Sequence, residues 1–267
     1  MVRGIFPARP SLGGCAVSPP KELVRLDGRE TCPDWNDAQL KENKDRFDDT
    51  TDTIALQCVL DLLRNVKECN RDENAAGAKI CFLLADRTKA DQVRRERFAA
   101  EGLNWAECAL AQGGEERGDA YYYLAVNLGI TVGKHPVSAV KSLDRTVASL
   151  EKAVALSPDI HNAGPYGVLG MVYLKAPPWP RGIGDGDKAM ELLEEAVRRS
   201  TAYPMNHVFY ARALWEVEGE DAEREITANL EEALRLRNEE RWRTVRERWM
   251  DDVTDVARQA HIELTVR

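Results

Sequence analysis

GPYGVLGMVYLKAPPWPRGIGDGDKAMELLEEAVRRSTAYP, residues 164–204, reads as two antiparallel helices joined by a loop rich in proline and glycine. In the first half, Tyr166, Leu169, Gly170 and Tyr173 recur at i, i+3, i+4 and i+7, one face of a helix. In the second half, Ala189, Leu193 and Ala196 share a face in the same way. Large and small residues alternate. Gly170 and Ala196 let two helix backbones approach closely, and Tyr166, Tyr173 and Leu193 fill the space beside them.

The same two faces recur on either side. Tyr121, Leu124, Ala125 and Leu128 repeat the first; Thr146, Leu150 and Ala153 repeat the second. Val208, Ala211 and Trp215 give a degraded first face, and Ile226, Leu230 and Ala233 a second. Gly102, Ala106 and Ala109 form an earlier second face. The closing alanines, Ala109, Ala153, Ala196 and Ala233, stand 44, 43 and 37 residues apart. The tetratricopeptide repeat (TPR) has this large–small pattern with a period of about 34 residues, and here the excess falls in the turns GITVGKHPV and APPWPRGIGD. The expected fold is therefore all-α, a TPR-like superhelical solenoid of antiparallel helix pairs. Residues 50–237 form the repeat domain. Residues 1–49 form a polar N-terminal segment broken by prolines, expected to be partly disordered with a short helix near 35–43. Residues 238–267 form a charged capping helix with Trp242 and Trp249 on one stripe.

The 267 residues are 43% hydrophobic and 31% charged, with a net charge of −8. An acidic chain with basic and acidic residues mixed along helix faces argues against nucleic-acid binding. No run of about 18 apolar residues exists, so no transmembrane helix is expected. Six cysteines, Cys15, Cys32, Cys58, Cys69, Cys81 and Cys108, all precede residue 109, without a C-x-x-C pair or zinc spacing. They read either as buried reduced thiols or as including at least one disulfide. Three stacked helices over 51–69, 75–88 and 92–112 would bring Cys69 level with Cys108, which makes these two the candidate bridge.

Chemistry is sparse. Residues 129–135 lack the spacing and the Ser/Thr of a phosphate loop, and the GIGDGD turn at 182–187 lacks the oxygen ligands of a calcium loop; Asp185 or Asp187 reads as a helix cap. His135, His161, His207 and His261 make no helical metal pair, so no metal site, cofactor or catalytic residue is assigned. His161 and His207 each precede a first-face helix, which places them at the rim of a groove. Of the consecutive Tyr121, Tyr122 and Tyr123, only one can point fully inward at about 100° per residue; Tyr121 fits the core. First helices line the inner face of such a solenoid, which makes Tyr122, Val126, Asn127, Met171, Asn206 and Phe209 the candidate binding groove, with Trp179 at its rim. Aromatic and amide side chains together suit an extended peptide or amphipathic ligand better than a compact anion.

The central unit also resembles the T-component family of TRAP transporters, TPR-like lipoproteins of bacterial periplasms. The resemblance lies in Tyr166, Leu169, Gly170 and Tyr173, then APPWP, Gly184-Asp185, Lys188-Ala189, Leu192-Leu193, Ala196 and Asn206-His207, with EGLNWAECALA and DAYYYLAVNLG also similar. It covers roughly residues 75–235. It implies a non-catalytic protein, periplasmic or anchored to the outer membrane, binding a protein partner such as a periplasmic solute-binding protein, or a small ligand. Leu12-Gly13-Gly14-Cys15-Ala16 matches a lipobox, which under this resemblance makes Cys15 a lipidation site and a lipid anchor the sole link to a membrane. The preceding residues carry Arg9 and two prolines where a signal peptide needs about 7–15 apolar residues. The alternative is a soluble cytoplasmic TPR adaptor for protein–protein interaction, with LGGC a chance match.

Overall fold

Short polar side chains set where the helices begin. The computed structural model describes residues 47–66, 68–133, 135–243 and 245–264, and ten α-helices lie among them. Helix α1 (Thr53–Asn65) starts at Asp52, whose carboxylate accepts from the Ile54 and Ala55 amides at 2.8 and 3.3 Å. Helix α2 (Arg71–Arg87) starts in a capping box: Asn70 Oδ1 accepts from the Glu73 amide at 3.0 Å, and Glu73 Oε2 accepts from the Asn70 amide at 2.8 Å. Asp91 caps α3 (Gln92–Ala111). Then follow α4 (Gly118–Val132), α5 (Pro136–Leu156) and α6 (Ile160–Lys175). Helix α7 (Gly186–Arg199) is capped by Asp185, which accepts from the Lys188 amide at 3.0 Å. Helices α8 (Pro204–Val217), α9 (Glu223–Arg237) and α10 (Arg246–Gln259) complete the series.

Consecutive helices pack as hairpins, α2 with α3, α4 with α5, α6 with α7 and α8 with α9. Helices α2, α4, α6 and α8 also touch one another in succession, while α10 closes against α8 and α9. The repeating small residues make this possible. Ala109, Ala153, Ala196 and Ala233 are all wholly buried, as are Ala106, Leu150, Leu193 and Leu230. The close approach at Gly170 is to Leu193 and to the carbonyl of Ala189 rather than to Ala196. A Cβ there would lie 2.6 Å from Leu193 Cγ and 3.2 Å from the Ala189 oxygen.

The core falls into two clusters. One extends from Phe47 through α7, and the other gathers Tyr203 and the side chains of α8 to α10. The last helix does more than cover the final hairpin. Arg248 pairs with Asp86, and Lys89 Nζ stands 3.2 Å from Asp252 Oδ2, so α10 returns to the C-terminal end of α2.

Several expectations change. Tyr121, Tyr122 and Tyr123 are all buried, because the part of α4 that carries them is enclosed by α2, α3, α5 and α6. The Cys69–Cys108 bridge is absent: Cys69 and Cys81 are free buried thiols, whereas Cys58 and Cys108 are disulfide-bonded. The first helix ends at Asn65 and not at residue 69. Cys69 lies in the link to α2 and turns its sulfur back towards the Leu63 carbonyl oxygen at 3.6 Å. The lipobox with Cys15, together with Cys32 and the short helix near 35–43, lies outside the described residues.

Candidate functional site

The α6 segment departs from ordinary helix geometry at its start. His161, Asn162 and Ala163 have φ of 50°, 57° and 62°, three consecutive residues in the left-handed region. Right-handed helix begins at Gly164, and Pro165 stands in the first turn, where its missing N–H forfeits no helical bond. Non-glycine residues in this conformation each cost about 1–2 kcal/mol. Buried Asn206 of α8 holds the turn: its Nδ2 lies 3.0 Å from the Asn162 oxygen, 2.9 Å from that of Ala196 and 3.3 Å from that of Ser200.

The turn points the His161 ring into an aromatic pocket. Its centroid lies 5.3 Å from that of Phe82, 5.7 Å from Tyr122 and 6.2 Å from Tyr203. Tyr203 in turn stands edge-on to Trp249, with centroids 5.6 Å apart. Asp49, immediately before α1, supplies a buried carboxylate: its Oδ2 lies 3.5 Å from His161 Nε2 and accepts from the Tyr203 hydroxyl at 3.4 Å. The Arg87 guanidinium donates to the Asp49 carbonyl oxygen at 3.1 Å, and burial followed by the nearby Arg248 charge lowers its pKa to about 10. Burial, reinforced by Asp49, pushes the Tyr122 and Tyr203 hydroxyls well above the ordinary tyrosine value, so both are neutral groups at physiological pH.

These side chains enclose a cavity of about 150 Å³. Phe82 and Asp86 of α2, Tyr122 of α4, Gly164 and Gly167 of α6, Asn206 and Phe209 of α8, and Trp249 and Asp252 of α10 share its wall with Asp49, His161 and Tyr203. Gly164 is required there, because a Cβ would stand 2.5 Å from the Tyr122 hydroxyl oxygen. At the outer edge, Asp86 and Asp252 are held by Arg248 and Lys89. The result is an apolar chamber with one deep carboxylate, neutral hydroxyls and an imidazole. It suits a compact group with an apolar body and one polar end. An engineered cavity of about this volume accommodates a benzene molecule.

Of the groove residues expected from sequence, Tyr122, Asn206 and Phe209 meet at this cavity. Val126 and Asn127 do not. Asn127 is wholly buried and its Nδ2 donates to the carbonyls of Ala78 and Tyr123 at 3.0 and 2.8 Å, so it ties α4 to α2. Met171 lines a separate cleft, and Trp179 is 84% exposed and lines neither. His207 is buried away from the site, with its ring nitrogens 3.0 Å from Asn229 Oδ1 and 2.8 Å from the Thr201 oxygen. His161 lies deep in the chamber and not at a rim.

Asp49, Phe82, Tyr203 and Trp249 were not marked as site residues by helix periodicity, since three of them come from opposite ends of the chain and one from a linking segment. The signal available was His161, two residues after the Ser157-Pro158-Asp159 break, where a helix start needs no imidazole. Among the described residues, no group of three or more His, Cys, Asp or Glu is placed to hold a metal ion, and no helix is long and apolar enough to cross a membrane. The chain matches no model of a known protein family, and a search of curated proteins returns no match.

Proposed function

We propose that this is a non-catalytic TPR-like repeat protein of the bacterial envelope that binds a partner through the His161 chamber. The carrying observation is the convergence of Tyr122 from α4 and Asn206 and Phe209 from α8 on a cavity of about 150 Å³ beside the strained turn that opens α6. A volume of that size takes one side chain of a protein partner, or a small ligand of similar bulk. The partner class implied by the TRAP T-component resemblance, a periplasmic solute-binding protein, fits insertion of one anchoring side chain. The successive contacts of α2, α4, α6 and α8 support the TPR-like reading of the helix stack. The disulfide-bonded state of Cys58 and Cys108 favours an oxidising compartment over the cytoplasmic adaptor.

The test compares the protein with Phe209→Glu, which puts a charge at the chamber's partly exposed wall. Immobilised protein is incubated with envelope extract, and bound proteins are identified by mass spectrometry. The expected result is a partner retained by the parent chain and lost from Phe209→Glu, with the two chains giving the same circular dichroism. Retention of an identical set of proteins by both chains removes the chamber from the binding surface.

A further inference from the structure

The Asp49 carboxylate lies deep in the His161 chamber without a full set of donors. Asp49 is 5% exposed, and its Oδ2 meets His161 Nε2 at 3.5 Å and the Tyr203 hydroxyl at 3.4 Å. Both separations exceed the ordinary hydrogen-bond range of about 2.5–3.2 Å. Arg87 is close, yet it donates to the Thr53 hydroxyl oxygen and to the Asp49 backbone oxygen, both at 3.1 Å. Among the described residues no lysine or arginine pairs with the Asp49 carboxylate. The Tyr122 side chain, 1% exposed, also lines the chamber, and its hydroxyl makes no hydrogen bond to another described residue. A buried carboxylate and a buried hydroxyl short of partners are costly unless something supplies them.

The walls restrict what can supply them. Phe82, Tyr122, Tyr203, Phe209 and Trp249 line the chamber. Aromatic faces carry negative potential and attract a cation, most strongly where water is excluded. An anion would meet those faces and Asp49 together. At the outer edge the charges are already matched: Arg248 pairs with Asp86, and Lys89 Nζ lies 3.7 Å from Asp86 Oδ1 and 3.2 Å from Asp252 Oδ2. Asp49 is thus the carboxylate of the lining left without a lysine or arginine. A quaternary ammonium has no N–H to give to Asp49 or Tyr122, and a guanidinium brings five donors in a plane, more than these acceptors take; a primary ammonium brings three. A butylammonium group, the end of a lysine side chain, has one heavy atom fewer than benzene, which a cavity of about this volume accommodates.

We propose that the chamber binds the ammonium end of a lysine side chain of the protein partner, with the nitrogen at Asp49 and Tyr122 and the alkyl stem leading out past the Asp86–Asp252 edge. This rests on the chamber being the partner-binding surface, as proposed above, and adds the charge and class of the group that enters it. The loss of partner expected from Phe209→Glu still holds, because that change removes an aromatic wall of the chamber.

The full chain, labelled with ¹³C at its methionine methyls, is titrated with butylammonium, 1-butanol and butyrate. Met205 lines the chamber and Met171 lies outside it. Butylammonium is expected to shift the Met205 methyl resonance saturably and leave Met171 unmoved, with 1-butanol and butyrate binding about tenfold more weakly or less. Asp49→Asn keeps the shape and an acceptor for Tyr203, and should bring butylammonium down to the level of 1-butanol. The comparison of probes on the parent chain stands even where that variant fails to fold. Phe209→Lys, which sets a cation on the same wall, should weaken butylammonium more than Phe209→Glu does. On immobilised parent chain, butylammonium should displace the partner retained from envelope extract, and butyrate should not. Butylammonium binding no tighter than the other two probes overturns the proposal, as does a preference for it that survives in a folded Asp49→Asn chain. Tighter binding of tetramethylammonium or butylguanidinium overturns the primary ammonium. Butylammonium that binds but leaves the partner in place assigns the chamber to a free amine and overturns the lysine. If Phe209→Glu loses the partner while butylammonium neither binds nor displaces it, the chamber remains the binding surface and the ammonium assignment alone falls. If the parent and Phe209→Glu retain the same proteins, the partner reading falls and the lysine with it.

Discussion

Gly170→Ala tests the repeat packing with two opposed effects whose sizes differ. In an exposed helix, replacing glycine by alanine stabilises by about 1 kcal/mol. Here the added methyl would stand 2.6 Å from Leu193 Cγ and 2.9 Å from Leu193 Cδ2, with the Ala189 oxygen at 3.2 Å on the same side. Leu193 is wholly buried and cannot swing into solvent, so α6 and α7 must separate or Leu193 must leave its rotamer. Overpacking of this kind costs about 1–3 kcal/mol, which exceeds the propensity gain over most of its range. Gly170→Ala is thus expected to be neutral to destabilising by about 2 kcal/mol, and Gly170→Leu clearly destabilising. Leu193→Ala alone should cost about 2–5 kcal/mol through the cavity it leaves. In the double variant, the methyl introduced by Gly170→Ala partly fills that cavity, so the two changes should be less costly together than their sum, with a coupling of about 0.5–3 kcal/mol. Urea denaturation of the four chains, with a common m-value, gives the cycle. A stabilised Gly170→Ala, or strict additivity with Leu193→Ala, would refute the close contact as the reason for glycine at this position.

Asn206→Ala should destabilise by about 2–4 kcal/mol, since it removes the donor shared by three carbonyl oxygens, one buried and two partly buried. Asn206→Asp keeps the shape but sets a carboxylate against those oxygens, and should cost more; equal urea midpoints for the two variants would show that the bonds do not matter. The thiols give a chemical prediction. Non-reducing peptide mapping should find Cys58 and Cys108 in disulfide-linked peptides and Cys69 and Cys81 free. Burial, followed by the Glu73 charge, raises the Cys69 pKa to about 11 from a usual 9.0, so alkylation of the native protein at pH 8 should be slow. The same shift means that the neutral Cys69 thiol contributes stability in full below pH 9.0, and that this contribution is lost as pH rises towards about 11. A Cys69→Ala variant with an unchanged stability profile across that window would count against it.

Much of the helix stack was legible because its rule is local. A small residue every turn or two on one face is a statement about neighbours in sequence, and Ala109, Ala153, Ala196 and Ala233 are buried where that rule puts them. Tyr122, Asn206 and Phe209 could be placed on inward-facing first helices for the same reason, and they do meet. What periodicity could not supply was the company they keep. Asp49 is brought to His161 and Tyr203 by contacts spanning more than a hundred residues, and Trp249 arrives on a helix that returns to α2 instead of only covering the last hairpin. The Cys69–Cys108 pairing failed for a related reason, although the chain does hold disulfide-bonded cysteines. Counting levels along ideal helices assumed that α1 continued to Cys69, whereas Val66 is extended and the chain leaves the helix there.

The turn at residues 161–163 is the clearest sign that this chamber is more than a leftover between packed helices. Elsewhere among the described residues the chain enters the left-handed region at Gly113 and Gly219, with φ of 85° and 68° and nothing within 4 Å of an added Cβ, and at the single residue His261, with φ of 57°. At 161–163 it uses His, Asn and Ala instead. Asn and His tolerate this conformation better than most residues, but Ala163 gains nothing from it locally. The conformation persists because Asn206 fixes the Asn162 carbonyl, because Ala163 is buried, and because the imidazole is stacked among Phe82, Tyr122 and Tyr203 against the Asp49 carboxylate. A turn needed only to reverse the chain would be met by glycine with less strain. Strain retained by so many independent contacts instead delivers one imidazole to one cavity wall, and an outlier of that kind supports a binding role for the cavity it serves.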